Sequence, residues 1–186
     1  MFKKYNFIIG YTSSGKTQVL SKIAENLPEA GLFLDADSGF MVNNPSLTKM
    51  SVQGFDEVIN LIKFSIKDGK HNIFLDGLNS LTIKKDSSQS KTFRQFFDAL
   101  SKEHTYFFTQ CLNKPYQGLV SGSEYFKNIK QSYSISLNLP LDEICVLETQ
   151  KSKNTFEITN HELEESYNIG SLESLIRDYK IVQLLC

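Results

Sequence analysis

Short apolar runs alternate along the chain with stretches whose apolar residues recur every three or four positions. Residues 5–9 show a strand pattern that ends at Gly10. Over 16–27, Val19, Leu20, Ile23, Ala24 and Leu27 share one helical face, and Pro28 stops the helix. Strands are predicted at 31–35 and, shorter, at 49–52. Phe55, Val58, Ile59, Ile62 and Ile66 mark a helix closed by Gly69. Residues 72–76 are apolar through their middle, which predicts a strand buried on both faces. The polar stretch 84–91 reads as a loop. Phe93, Phe96, Phe97 and Leu100 predict the next helix, and 105–109 the next strand.

Residues 113–123 hold Pro115, Gly118 and Gly122 and read as a loop, with a short helix at 124–131. Tyr133, Ile135, Leu137 and Leu139 alternate with two serines and an asparagine, the period of a half-buried strand ended by Pro140. Residues 144–148 and 156–158 predict a hairpin around Lys151-Ser152-Lys153-Asn154, and 172–185 a final helix. The β-α-β-α-β-α-β order predicts an α/β fold: a mostly parallel central sheet with helices on both faces and a C-terminal β-hairpin.

The length, 186 residues, suits a single domain spanning 1–186. A chain of this size buries about 70% of its unfolded surface, so its core needs no disulfide or metal. Cys111, Cys145 and Cys186 are odd in number and far apart, which supports neither a disulfide framework nor a zinc ribbon. The net charge of −1 excludes a strongly basic nucleic-acid coat or a polybasic membrane binder, but not a local basic patch. No signal peptide or membrane span is visible, so the expected location is cytoplasmic.

Gly10-Tyr11-Thr12-Ser13-Ser14-Gly15-Lys16-Thr17 matches G-x-x-x-x-G-K-[ST], the phosphate loop. It stands where its mechanism needs it, after a strand and opening a helix. Glycines let backbone N–H groups turn onto phosphate oxygens, and the helix N-terminus adds its positive dipole end. Lys16 is expected on the β/γ oxygens of ATP, and the Thr17 hydroxyl on Mg²⁺. Asp76, at the end of the 72–76 strand and followed by Gly77, lies at the crevice where open α/β sheets bind ligands. It is expected to hold the water shell of Mg²⁺ opposite Thr17. The competing reading of Asp76 is a turn or cap residue.

From residue 5 to residue 159 the order of motifs resembles the ATPase core of the RecA-like superfamily: RecA, RadA and RadB, KaiC-type ATPases and the hexameric replicative helicases. Leu32-Phe33-Leu34-Asp35-Ala36-Asp37 resembles the strand that ends in a water-polarising Glu, a role the resemblance gives to Asp37. Asp is one methylene shorter, and a misplacement of about 1 Å costs about 10²-fold in rate, so slow hydrolysis is expected. Phe107-Phe108-Thr109-Gln110 resembles the strand whose Gln senses the γ-phosphate. The following loop, 113–123, corresponds to a mobile DNA-binding loop; Lys114 and Tyr116 suit a backbone contact and base stacking on single-stranded DNA. Lys151 and Lys153 resemble a K-x-[KR] pair that reaches the γ-phosphate of a neighbouring subunit, which implies a homo-oligomer. Competing readings are plain surface loops and a hairpin tip made soluble by lysines. With four residues before the first strand, the resemblance is to a minimal, core-only member.

The function so implied is a Mg²⁺-dependent ATPase in DNA recombination, repair or replication. One alternative is a KaiC-like regulatory ATPase with a protein partner; another is a nucleotide-binding subunit without turnover. A small-molecule kinase would need an arginine-rich lid, and Arg94 and Arg177 are the only arginines beside eighteen lysines.

Overall fold

The computed structural model describes residues 3–27, 31–37, 45–67, 72–81, 89–112, 122–152, 155–160, 162–163 and 165–169. In chain order the elements are β1 (Tyr5–Gly10), α1 (Lys16–Asn26), β2 (Gly31–Asp35), β3 (Leu47–Ser51), α2 (Phe55–Lys67) and β4 (Asn72–Asp76). A 3₁₀ turn (Leu78–Ser80), α3 (Gln89–Asp98), β5 (Thr105–Cys111) and α4 (Gly122–Leu137) follow. A second 3₁₀ turn (Leu141–Glu143), β6 (Ile144–Lys151), β7 (Phe156–Asn160) and β8 (Glu165–Ile169) complete the described chain.

The eight strands form one sheet in the order β3-β2-β4-β5-β1-β6-β7-β8. From β3 to β6 all pairings are parallel; β6–β7 and β7–β8 are antiparallel. This is an α/β fold with a mixed, mostly parallel sheet and a C-terminal hairpin. β5 lies between β1 and β4, so the ends of these three strands share one edge of the sheet.

Strand alternation sorts the core into two layers. Tyr5, Phe7 and Ile9 of β1 pack with residues of α2, α3 and α4, such as Phe55, Phe97 and Phe126. Ile8 packs with Val19, Leu20, Ile23 and Ala24 of α1. Helices therefore cover both faces, and β1 is buried along its whole length. On the α1 side Phe33, Phe74 and Phe107 stand in register across β2, β4 and β5. Their rings stack at centroid distances of 6.1 and 4.9 Å. Such aromatic pairs contribute about 0.5–1.5 kcal/mol each beyond area burial.

Residues 133–139 are not the expected strand: 133–137 form the last turns of α4, which also extends beyond the short helix read at 124–131. Phe126, Ile129, Tyr133 and Leu137 pack on the α2–α4 side of the core at helical spacing, while Ile135 is 79% exposed. The alternation of Tyr133, Ile135 and Leu137 has period two only because an exposed isoleucine sits between two inward residues. The helix ends in a left-handed residue, Asn138 at φ 57°, and the Leu139 N–H donates to the Ser134 carbonyl at 3.1 Å. That six-to-one bond is the Schellman closure, and Pro140 follows it.

Other boundaries also move. α3 starts at Gln89, inside the polar stretch read as a loop, because the first turn of a helix needs no apolar residue until Phe93 docks. β5 runs two residues longer, to Cys111, and β8 was not anticipated. The expected helix at 172–185 lies outside the described residues. Among the described residues no helix is long and apolar enough to cross a membrane.

The helical assignment of α4 gives a direct contrast in stability. Leu137→Ala, at a position 8% exposed, is expected to cost about 2–4 kcal/mol in urea unfolding. Ile135→Ala should stay within about 0.5 kcal/mol of wild type. Equal losses at the two positions would restore the strand.

Candidate functional site

The loop between β1 and α1 turns because two of its residues take positive φ: Ser13 at 63° and Gly15 at 90°. Left-handed residues on either side of Ser14 bend successive N–H groups toward one concavity. The first turn of α1 adds the N–H groups of Lys16, Thr17 and Gln18, which a helix cannot satisfy internally. Gly10 has no room for a side chain: a Cβ there would lie 2.6 Å from the Thr149 carbonyl oxygen of β6. On the same side Ser14 Oγ and Thr149 Oγ1 are hydrogen-bonded at 2.9 Å. The loop is thus fastened to β6 from behind.

A cavity of about 480 Å³ opens in front of the loop. Thr12, Ser13, Gly15, Lys16 and Thr17 line it; Gly10, Tyr11 and Ser14 do not. Lys16 Nζ donates to the carbonyls of Tyr11 at 2.6 Å and Gly10 at 3.2 Å, which holds the ammonium at the cavity wall. Burial pushes its pKa down, and Coulombic interaction with Cys111, Asp76 and Asp37 acts in the opposite direction.

Asp76 sits behind that wall, 1% exposed. Its Oδ1 accepts the hydroxyl of Thr17 at 3.1 Å and that of Thr109 at 2.6 Å. Thr109 in turn accepts the Gly77 N–H at 2.7 Å. One carboxylate oxygen therefore joins the start of α1, the end of β4 and the end of β5. Burial raises the Asp76 pKa, the two hydroxyls lower it, and the charges of Asp37 and Asp35 raise it further.

Asp37 lines the cavity. Its backbone N–H donates to Asp35 Oδ1 at 3.0 Å, and its own carboxylate accepts the Ser80 hydroxyl. It lies over Gly77, whose φ of 81° and missing side chain make the space: a Cβ there would stand 2.6 Å from Asp37 Cγ. The 3₁₀ turn after β4 supplies a second device. Asn79 Oδ1 accepts the Cys111 N–H at 2.7 Å. A backbone N–H can only donate, so this bond fixes which end of the amide faces β5.

Gln110 stands between two cavity-lining residues, Thr109 and Cys111, but is not itself part of the lining. Strand alternation turns it to the opposite face, where its Oε1 accepts the Tyr133 hydroxyl of α4 at 2.5 Å. Burial raises the pKa of that phenol, which keeps its proton available for the bond. Lys151 lines the cavity of its own chain. Lys153 and the greater part of the loop expected to meet DNA, 113–121, lie outside the described residues.

Thr109, Asn79, Ser80 and Thr149 escaped the sequence reading. Thr109 carried a signal, a hydroxyl at the centre of an otherwise apolar strand. The other three become visible only once the register of β4, β5 and β6 against β1 is known.

The hydroxyl of Thr17 and the carboxylate of Asp76 are hard oxygen donors of the kind Mg²⁺ takes. Among the described residues no group of three or more His, Cys, Asp or Glu could cage a metal alone. Mg²⁺ is commonly held by one or two protein oxygens with phosphate and water, and this donor pair fits that arrangement. No protein-family model matches the chain, and a search of curated proteins finds none that matches.

The raised Asp76 pKa has a defined sign. The folded chain keeps this proton to higher pH than the unfolded chain does, so stability falls as pH rises from the ordinary Asp value of about 3.9 through the raised value. Asp76→Asn keeps an acceptor for both threonines and carries no charge. Without nucleotide, the variant is expected to melt above wild type at pH 7, by about 2–4 °C per kcal/mol recovered. The gap should close below about pH 4, where the unfolded carboxyl is also protonated. A variant that melts below wild type across this range would contradict the assignment.

Proposed function

We propose that the protein binds ATP with Mg²⁺ at the β1–α1 loop and hydrolyses it slowly. The observation that carries this reading is that Lys16, Thr17 and Asp37 line one cavity beyond the ends of β1 and β2, with Asp76 of β4 bonded to Thr17 behind its wall. The loop N–H groups and the α1 N-terminus cradle the phosphates, and Lys16 contributes a direct charge contact. Mg²⁺, held by Thr17 and Asp76, would neutralise charge on the phosphate oxygens.

Asp37 orients a water molecule and accepts its proton. The water oxygen forms a bond to the γ-phosphorus, the bond to the β–γ bridging oxygen breaks, and ADP and phosphate leave. The Ser80 hydroxyl holds Asp37 over Gly77 and so fixes how far the shorter carboxylate reaches. The resemblance to RecA-like proteins supports a role of this activity in DNA recombination, repair or replication. A KaiC-like regulatory role differs in one measurable respect: single-stranded DNA should leave its turnover unchanged.

Calorimetry tests the site. Wild type is expected to bind Mg·ATP, and Lys16→Ala to lose about tenfold or more in affinity. Equal affinity in the two proteins would remove the loop from the function. Turnover tests Asp37: Asp37→Asn should bind ATP and lose about 10²-fold or more in rate, and Asp37→Glu should turn over faster than wild type. Unchanged turnover in Asp37→Asn would take the residue out of the mechanism.

A further inference from the structure

β6 runs parallel to β1, with Ile8 beside Leu147 and Ile9 beside Glu148. This register brings Thr149 level with Gly10, the last residue of β1, where its hydroxyl meets Ser14 Oγ and its carbonyl closes on Gly10. Side chains two residues apart on a strand share a face, so Lys151 leaves β6 on the side that Thr149 has fastened to the phosphate loop. The strand extends to that residue. Lys151 pairs with Phe156 of β7, and the Ser152 N–H donates to the Thr155 carbonyl at 2.9 Å. Lys151 and Lys16 are the cations among the residues lining the cavity, and Asp37 is the carboxylate among them.

We propose that Lys151 delivers its ammonium to the terminal phosphate of ATP bound in its own chain, as an intrasubunit counterpart of Lys16 in the lining of the same cavity. This rests on the nucleotide reading above and differs from the resemblance, which assigns the lysine to a neighbouring subunit's ATP. The charge balance argues for it. Lys16 already answers to Asp37 and Asp76, and a triphosphate adds several negative charges that one ammonium meets only in part. A second cation on a strand end, rather than on a loop, needs little ordering to act.

The test compares Mg·ATP with Mg·ADP. By calorimetry, Lys151→Ala should lose about tenfold or more in affinity for ATP and no more than about threefold for ADP, whereas Lys16→Ala should weaken both. Turnover of Lys151→Ala should fall by about 10²-fold, and Lys151→Arg should recover part of it. Specific activity of wild type should not change with protein concentration, and mixing Lys16→Ala with Lys151→Ala should restore no turnover. Lys151 is exposed, so circular dichroism melts are expected to match wild type.

Wild-type ATP affinity and turnover in Lys151→Ala would overturn the proposal, and so would rescue on mixing, which would place the lysine in trans. Wild type that binds neither nucleotide would instead defeat the nucleotide reading and this proposal together.

Discussion

One carboxylate oxygen governs the arrangement of the site. Asp76 Oδ1 takes hydroxyls from α1 and β5 while its own backbone ends β4. Burying a carboxylate in a strand end is costly unless its oxygens are hydrogen-bonded. The two threonines supply those bonds and thereby set how the β1–α1 loop stands against the two neighbouring strand ends. Asp35 and Asp37 press the same way as burial, so the folded chain concentrates negative potential at the place where a divalent cation is expected. Stability is given up there at neutral pH, because the raised pKa makes the ionised carboxylate costly in the folded chain.

The sheet converts this local bond into a site. β5 between β1 and β4 brings Thr109 within reach of Asp76 and carries Cys111 to the Asn79 amide. On the other side of β1, β6 holds the loop through Thr149 and ends in Lys151. The β1–α1 loop is thus clamped between two strands, and among the described residues each charged group lining the cavity is anchored at or just beyond a strand or helix end. The exception in role is Gln110. It lies on β5, beside the cavity in sequence, and spends its amide oxygen on Tyr133 of α4. It thereby connects the end of β5 with α4.

Much of this was legible in the residues. Apolar runs at β1, β2, β4 and β5 are dense enough to mark buried parallel strands, and the loop from Gly10 to Thr17 announces itself by spacing alone. The place of Asp76 at the end of β4 was readable from a carboxylate that closes an apolar run. The second half of α4 was misread because Ile135 is exposed: a period-two pattern and a helix with one outward isoleucine look alike over seven residues. Asn138 and Pro140 held the better clue, a left-handed cap with a proline after it. Ser80, Asn79 and Thr149 were out of reach for another reason. Their roles depend on pairings between strands far apart in sequence, and polar residues beside a turn are common without such roles.

The central claim is that Asp76 and Thr17 form the metal side of a triphosphate site. Thermal unfolding of wild type and Asp76→Asn with ATP, in Mg²⁺ or in a chelator, tests it most directly. At about 100 times the dissociation constant a ligand adds about 2.7 kcal/mol, or about 5–10 °C for a chain of this length. Wild type is predicted to gain that shift only when Mg²⁺ is present, and Asp76→Asn to gain much less of it. A shift of equal size in the chelator, or an undiminished Mg²⁺-dependent shift in Asp76→Asn, would contradict the account.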